Sequence, residues 1–468
     1  MNLRILIFLV LCAAIPAWSQ TTGAGSPGTA GSPGTAGTAG TAGTDEQPDT
    51  PVANDGMLTP PPVSGQAYPI LIGAEEHTNY VSFGATANIA YDDNVEGGYT
   101  GVSKGDMIYS IWPTVSLNRS SPRLREVLNY SPGFTIYQPS SVFNAADQNA
   151  TGDLQYLMGT HTTLDLSDNF DRSSSLFNQP FSATQGAVTG GVPTQTSGAL
   201  PAFADRILNT ASAQLTNQTG DNGMIGLSAN YGQLDYPNTK EVAGLYNATS
   251  YEGGAFVTQR PTRRQYLGAN VQHARIVSNL NGIDNVMQRD NIFGFYTIYL
   301  RNLQQSMLSL SITAGPEHYS IAQYPEALLS KWTPSGTVSL GWQAHLSSAS
   351  ASYTRAVTGG GGLPGAYEED GAEAMYRRQL RPTWDFNVSM VYTRNKSATP
   401  EFAFAVPGGH TVTAGVSADH TFSKNLKMTF GYDWMDQSYK AVVSLSPIPI
   451  SNREYCAITY QLTRPVGR

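Results

Sequence analysis

Apolar and polar positions alternate along most of this chain from Tyr80 onward. The clearest stretch is Gly408 to Tyr439. In its first arm Val412, Ala414, Val416, Ala418 and Phe422 share one parity, and Thr411, Thr413, Gly415, Ser417, Asp419 and Thr421 the other. Beyond Ser423-Lys424-Asn425, Leu426, Met428, Phe430, Tyr432 and Trp434 alternate with Lys427, Thr429, Gly431 and Asp433. Side chains alternate across a strand, so period two sorts residues onto two faces. Each arm outruns the usual soluble strand of about 5–6 residues. One face is apolar, His420 near the turn excepted; the other is small, hydroxylic or charged. A strand with hydrocarbon on one side and water on the other has this pattern.

The same alternation predicts about eighteen strands, near 80–91, 107–118, 124–137, 148–158, 161–170, 206–217, 223–235, 250–260, 264–277, 289–301, 305–319, 333–345, 348–358, 371–380, 382–395, 408–421, 426–439 and 452–463. Their connections alternate in length. Long ones fall near 92–105, 138–147, 171–205, 236–249, 278–288, 320–332, 359–370, 396–407 and 441–451, with short ones between them. Transmembrane barrels combine short periplasmic turns with longer extracellular loops. A β-sandwich needs no such alternation, and a solenoid needs a fixed repeat that is absent here. Hydrocarbon offers no hydrogen-bond partners, so a spanning sheet must close on itself. The expected fold class is therefore all-β: a transmembrane antiparallel up-and-down β-barrel over residues 79–468. It would have sixteen or eighteen strands, eighteen preferred. An even count puts both termini on one side, expected to be the periplasm. Trp384 at the start of a strand and Trp434 near the end of another suit the interfacial girdles.

The amino terminus changes the picture of where the chain resides. Arg4, the apolar run Ile5 to Ala14 and the small-x-small Ala17-Trp18-Ser19 read as a signal peptide over 1–19. The apolar run is too short to span a bilayer. Leu11 before Cys12 is too bulky for a usual lipobox, and after cleavage Cys456 alone remains, so no intramolecular disulfide is expected. Residues 20–78 form a disordered, low-complexity extension, whose tract 21–45, rich in Gly, Thr, Ala and Pro, lacks the large apolar side chains that would bury a core. Glycine recurs at every third position from Gly25 to Gly43, as in collagen, but the run is short, holds few prolines and would need three chains. A disordered periplasmic spacer is the expectation. The 468-residue chain has only 13% charged residues and a formal net charge of −8, which argues against nucleic acid as a partner.

Candidate chemistry is sparse. The seven histidines show no His-x-x-x-His spacing, and no Gly-x-Ser-x-Gly elbow or phosphate loop is present. A barrel hydrolase would need a Ser–His pair near an outer strand end, and the sequence singles none out, so no enzyme and no cofactor or metal are expected. Asp92-Asp93-Asn94 suits a turn first and an oxygen-ligated cation second, and Ser167 to Arg172 poses the same choice. Parity assigns pore-lining candidates: Asp153, Asp165, Asn230, Gln272, Arg377, Arg381, Asp385, Asp419, Lys427, Asp433 and Arg453. Both signs occur among them, which suits neutral polar solutes, although any water-filled barrel would show as much. The 171–205 connection is the expected gate, and Gly359 to Gly362 is expected to be a flexible surface loop. Outer-membrane lipid and lipopolysaccharide are the expected surroundings.

Phe83-Gly84-Ala85-Thr86-Ala87-Asn88-Ile89-Ala90-Tyr91-Asp92-Asp93-Asn94-Val95 resembles the opening of the beta-barrel porin 2 family, whose first strand often ends in Asp-Asn. Trp112-Pro113-Thr114-Val115 in the second strand and Leu166 to Arg172 are similar too. The resemblance covers about residues 78 to 468. It implies an outer-membrane channel, with polysaccharide or periplasmic export components as partners, because such barrels often serve exopolysaccharide export. The chain departs from the usual barrel end, a terminal Phe, by finishing Arg464-Pro465-Val466-Gly467-Arg468. Two readings follow: a passive channel for polar solutes, and a structural or adhesive barrel whose loops bind surface polymer.

Overall fold

A computed structural model describes residues 79–96, 102–173, 205–237, 245–262, 264–280, 283–303, 306–323, 327–363, 365–398, 408–439 and 450–465. The signal peptide and the extension to residue 78 lie outside the described residues, as does most of the 171–205 connection. Eighteen strands follow in chain order: β1 (Tyr80–Asp92), β2 (Asp106–Ser120), β3 (Leu124–Gln138), β4 (Ala145–Leu157), β5 (Thr162–Ser173), β6 (Arg206–Thr219), β7 (Gly223–Asp235), β8 (Ala248–Thr262) and β9 (Gln265–Leu280), then β10 (Ile283–Leu303), β11 (Ser306–Gln323), β12 (Ala327–Ala344), β13 (Ser347–Thr358), β14 (Tyr367–Arg381), β15 (Trp384–Ser397), β16 (Gly408–Ser423), β17 (Leu426–Ser438) and β18 (Ile450–Pro465). Each pairs antiparallel with its chain neighbours, and β1 pairs with both β2 and β18. Tyr80 stands opposite Pro465 and Asp92 opposite Arg453, so the sheet closes with the first and last strands in register. Closure leaves no open edge, as a strand in hydrocarbon requires. Tyr80 and Pro465 both lie at the end carrying the short turns.

The two faces sort by parity. Phe83, Leu128, Phe134, Val257, Val271, Ile292, Val338, Met390 and Phe430 point outward and are exposed. Such a girdle of bare apolar side chains around a closed barrel is stable only against lipid. At the short-turn end Trp384 stacks on His420 with ring centroids 4.5 Å apart, and His420 meets Phe422 edge-on at 4.5 Å. His420 is thus accommodated among aromatic rings beside the turn. Cys456 shares the outward face with Phe430 and Ile89, its partners on either side. Inward aromatic rings are seated over glycines of the next strand: a Cβ on Gly133 would fall 2.4 Å from the Trp112 ring, and one on Gly431 2.2 Å from Tyr455.

The strand pattern differs from the sequence expectation on one side of the barrel. Long connections were expected near 278–288 and 320–332. Instead β9 runs to Leu280 before β10 begins at Ile283, and β11 runs to Gln323 before β12 begins at Ala327. Outward residues there are polar, among them His273, Arg275, Asp290, His318 and Ser320. The apolar alternation therefore stops while the hydrogen-bonded ladder continues, since backbone pairing does not need an apolar face. Strand β10 reaches 21 residues, and the wall from β9 to β12 stands taller than its neighbours.

Candidate functional site

The inner wall from β14 to β18 carries a ladder of opposed charges. Arg377 Nη2 lies 3.3 Å from Asp385 Oδ1 on the next strand. Lys427 Nζ lies 2.9 Å from Asp419 Oδ2, and Thr429 Oγ1 and Asn387 Nδ2 donate to the same carboxylate at 2.7 and 3.2 Å. Arg453 is opposite Asp433 on β17 and Asp92 on β1, so carboxylates flank it on both sides. Across the lumen, Arg125, Gln155 and Asp165 occupy one inward row of β3 to β5, with Gln155 Nε2 donating to Asp165 Oδ1 at 2.8 Å. The Arg377 and Lys427 side chains keep 22% and 32% of their exposure, whereas Arg453 and Asp92 are buried.

The wall from β7 to β11 holds its charges differently. Arg289 on β10 has no exposed side-chain surface. Its Nη2 donates to Glu252 Oε2 at 3.3 Å, its Nη1 donates to the Val357 carbonyl at 2.7 Å, and its Nε lies 3.3 Å from Glu317 Oε1. Glu317 Oε2 accepts the Val357 N–H at 3.1 Å, and Asn230 Nδ2 donates to Glu252 Oε1 at 3.2 Å. One cation thus gathers two carboxylates from β8 and β11, and the cluster grips both backbone groups of Val357 at the end of β13. Pairing between β12 and β13 stops at Gly336 and Arg355. Past that point β13 parts from β12 and leans toward β11, while it stays paired with β14 as far as Thr358 opposite Tyr367.

The chain that follows Val357 closes over the lumen at the long-connection end. Residues 359–366 include a short 3-10 turn, Gly360–Gly362, in which Gly360 and Gly362 adopt φ of 66° and 94°. That left-handed backbone favours glycine. Gly362 also passes so close to Tyr236 that a Cβ would sit 3.0 Å from its ring. The Gly362 carbonyl accepts the Tyr246 N–H at 2.8 Å, and the Ala366 carbonyl accepts the Ala398 N–H at 2.9 Å. Leu363 and Tyr367 are buried with Leu208, Leu234, Tyr236, Leu245 and Tyr439. Val357 and Ala366 are buried with Ile276, Met287, Tyr319, Ile321 and Ala398. β6 and β7 lie seven or more strands from β14 around an eighteen-strand ring. The 359–366 segment therefore bridges opposite walls of the mouth. Burial pushes the phenols of Tyr236 and Tyr439 up to about 12, so both stay neutral in this cluster.

The tetraglycine segment, expected at the surface, is thus a turn packed inside the mouth. A glycine run signals access to unusual backbone angles, and it does not distinguish a flexible loop from a tightly folded one. The other expected gate, 171–205, is described only at its ends. There Arg172 Nη2 donates to Asp205 Oδ2 at 2.7 Å. Of the pore-lining candidates, Asp153, Asp165, Asn230, Gln272, Arg377, Asp385, Asp419, Lys427, Asp433 and Arg453 fall on the inward parity. Asn230 and Gln272 lie on the sealed wall, while Asp385, Asp419 and Lys427 lie on the hydrated one. Arg381 does not follow. A bulge between Gln379 and Arg381 sets it opposite Trp384, on the outward face at the turn. One extra residue reverses facing, which parity counting from the strand centre misses. Arg289, Glu252 and Glu317 escaped the sequence reading, and their only signal was charge at inward parity.

Asp92-Asp93-Asn94 resolves as turn chemistry. Asp92 Oδ1 accepts the Asn94 N–H at 2.9 Å and the Ser451 hydroxyl at 2.9 Å, while Asp93 accepts the Asn452 N–H at 2.7 Å. The carboxylates clamp the closing seam of β1 and β18. Ser167 to Arg172 lies within β5. Among the described residues no group of three His, Cys, Asp or Glu side chains is placed to hold a metal.

Closure, the bare apolar girdle and the polar lumen define a transmembrane β-barrel of the outer-membrane type. No protein family's sequence profile matches the chain, so the resemblance to the beta-barrel porin 2 family gains no support there, and no curated protein matches it in sequence. Solved structures of similar form include Pseudomonas aeruginosa OpdO (TM-score 0.41, 11% identity, 82% of this chain and 97% of that one). Pseudomonas aeruginosa OccK2, also called OpdF, is similar at TM-score 0.40 and 11% identity over 83% of this chain and 98% of its own. Acinetobacter baumannii OccAB2 stands at TM-score 0.40 and 11% identity over 82% and 98%.

Proposed function

We propose that the protein is a porin-like channel of the cell outer membrane that passes polar solutes and is constricted at its long-connection mouth. The observation that carries this reading is the partly hydrated ladder of opposed charges from Arg377 to Lys427 beneath a packed bridge of residues 359–366. Charges of both signs facing one aqueous lumen offer hydrogen bonds and fields to polar solutes without trapping an ion of one sign. The short-turn end, where Tyr80 and Pro465 meet, faces the periplasm, and the long connections face outward. Export of exopolysaccharide is the finer form of this proposal. The sequence resemblance supports it, as does a lumen rich in amides and hydroxyls that can exchange hydrogen bonds with sugar.

The packed mouth favours a second reading, a structural or adhesive barrel that binds surface polymer through its loops and keeps its lumen shut. Conductance in planar bilayers separates the two. Wild-type protein should show small steps, and deletion of 360–363 should enlarge them. Silence from both proteins sinks the channel. Removal of the gene followed by assay of surface polysaccharide tests the export form, and undiminished polymer overturns it.

A further inference from the structure

Outside the lumen, one row of polar side chains crosses the outward face of the tall wall. Backbone register sets His273 opposite Asp290, Asp290 opposite His318, and His318 opposite Trp332, on four successive strands from β9 to β12. One row toward the short turns, the outward residues are Val271, Ile292, Pro316 and Pro334. One row the other way they are Arg275, Gln288, Ser320 and Ser330. The row therefore sits where the apolar girdle stops. His318 is about twelve residues along β11 from Ser306. At about 3.4 Å per residue and a tilt of about 40°, that is on the order of 30 Å from the turn, at the far rim of an apolar band about 25 Å tall. Trp332 is 65% exposed there, as an interfacial indole would be.

The contacts along the row, and to Ser330 in the row beside it, have an order. Ser330 Oγ lies 2.8 Å from His318 Nε2. His318 Nδ1 lies 3.7 Å from Asp290 Oδ2, and Asp290 Oδ1 lies 2.7 Å from His273 Nδ1. The Trp332 ring packs against His318 with centroids 4.9 Å apart and planes tilted by 47°, which limits how the imidazole can turn. A hydroxyl on one imidazole nitrogen and a carboxylate beside the other is the arrangement of an activated serine. The His318–Asp290 contact exceeds hydrogen-bond length, as such contacts often do before substrate binds. Ester bonds of membrane lipids lie at this depth, with their acyl chains in the band below and their head groups above.

We propose that Ser330, His318 and Asp290 form a hydrolase site on the outer wall that cleaves carboxylic esters of lipids in the adjoining leaflet. With Nδ1–H turned to Asp290, His318 Nε2 takes the Ser330 proton as Oγ attacks the ester carbonyl carbon. The tetrahedral adduct collapses, the bond to the alcohol oxygen breaks, and His318 returns the proton to the departing alcohol. The acyl group stays on Ser330. A water then gives its proton to His318 while its oxygen attacks the acyl carbon, and Ser330 leaves with the proton restored. The sum is ester plus water giving carboxylic acid plus alcohol, with no further reactant. Asp290 and His273 act as positioning residues. Backbone amides within the strands are engaged in the ladder, so the hydroxyl of Ser320, directly opposite Ser330, is the neighbouring donor for the oxyanion. Calling that leaflet the outer one rests on the orientation proposed above, and the hydrolysis itself does not.

The test uses the mature chain reconstituted in phosphatidylethanolamine vesicles bearing a fluorescent acyl chain. Release of the labelled fatty acid should fall about 10²–10⁴-fold in Ser330→Ala and in His318→Gln. Asp290→Asn should lower kcat with little change in KM, a split that a merely structural role would not produce. A fluorophosphonate should attach at Ser330 in the wild type and fail to do so in His318→Gln. Heat-dependent gel mobility and unchanged bilayer conductance show that each variant is folded, and they keep this test separate from that of the channel. Equal release by wild type and Ser330→Ala, or no release above vesicles alone, overturns the proposal.

Discussion

Two walls of the same lumen treat their charges in opposite ways. On β14 to β18 the pairs Arg377–Asp385 and Asp419–Lys427 remain partly open to water. On β8 to β11 the side chains of Arg289, Glu252 and Glu317 are 0%, 3% and 0% exposed. Parity does not separate them, since each is a charged residue at an inward position of its strand. The difference arises from β13, which parts from β12 beyond Arg355 and lays Val357 and the segment after it over one side only. A hydrated pair gains little net energy because water already solvates both ions. A sealed cluster is strongly committed, because removing one partner strands a charge out of water. On the proposed reading the hydrated wall is the one that meets solutes, while the sealed one anchors the bridge across the mouth.

The largest expected effect breaks or confirms this contrast directly. Arg289→Met should destabilise the folded barrel by about 3–5 kcal/mol, by leaving Glu252 and Glu317 buried without their cation. Arg377→Met should cost no more than about 1 kcal/mol. Urea titration of both variants in lipid vesicles compares them, and equal losses would refute the distinction. Next, Phe430→Lys on the outward face should cost about 2–4 kcal/mol in the same assay, while Ser417→Lys on the inward face should be mild. Matching costs on the two faces would overturn the assignment of lipid and lumen. A smaller effect, about 1–2 kcal/mol, is expected for Gly362→Ala, which places a Cβ in left-handed backbone beside Tyr236. Its sharper signature is a larger or more frequent conductance step. Smallest in stability, within about 1 kcal/mol, is Lys427→Met. It leaves Asp419 without its cation in the lumen, so reversal-potential measurements should move toward cation selectivity.

Much of the barrel was legible in the sequence. Period-two alternation located all eighteen strands to within a few residues at most ends, because burial in lipid acts on each strand separately. The turn at Ser423-Lys424-Asn425 and the facing of Asp419 and Lys427 could be read from their own neighbours. The failures have two causes. Arg381 was misplaced by a bulge and the connections near 278–288 and 320–332 proved to be strand, both set by backbone pairing with hairpin partners a few residues away, which leaves no apolar pattern. The tetraglycine run proved to be buried because of partners distant in sequence, Tyr236 and Tyr246.

Sequence by itself determined that this chain must close into a barrel, since alternating faces and hydrogen-bonding backbone in hydrocarbon admit no other solution. It also determined which residues face inward along regular strands. Tertiary structure alone decided which inward charges are sealed, where the mouth is bridged, and that His318, Asp290 and His273 stand in one row with Ser330 in the row beside it. Those facts are set by the register between strands and by one segment crossing the lumen, and neither leaves a periodic trace in the chain.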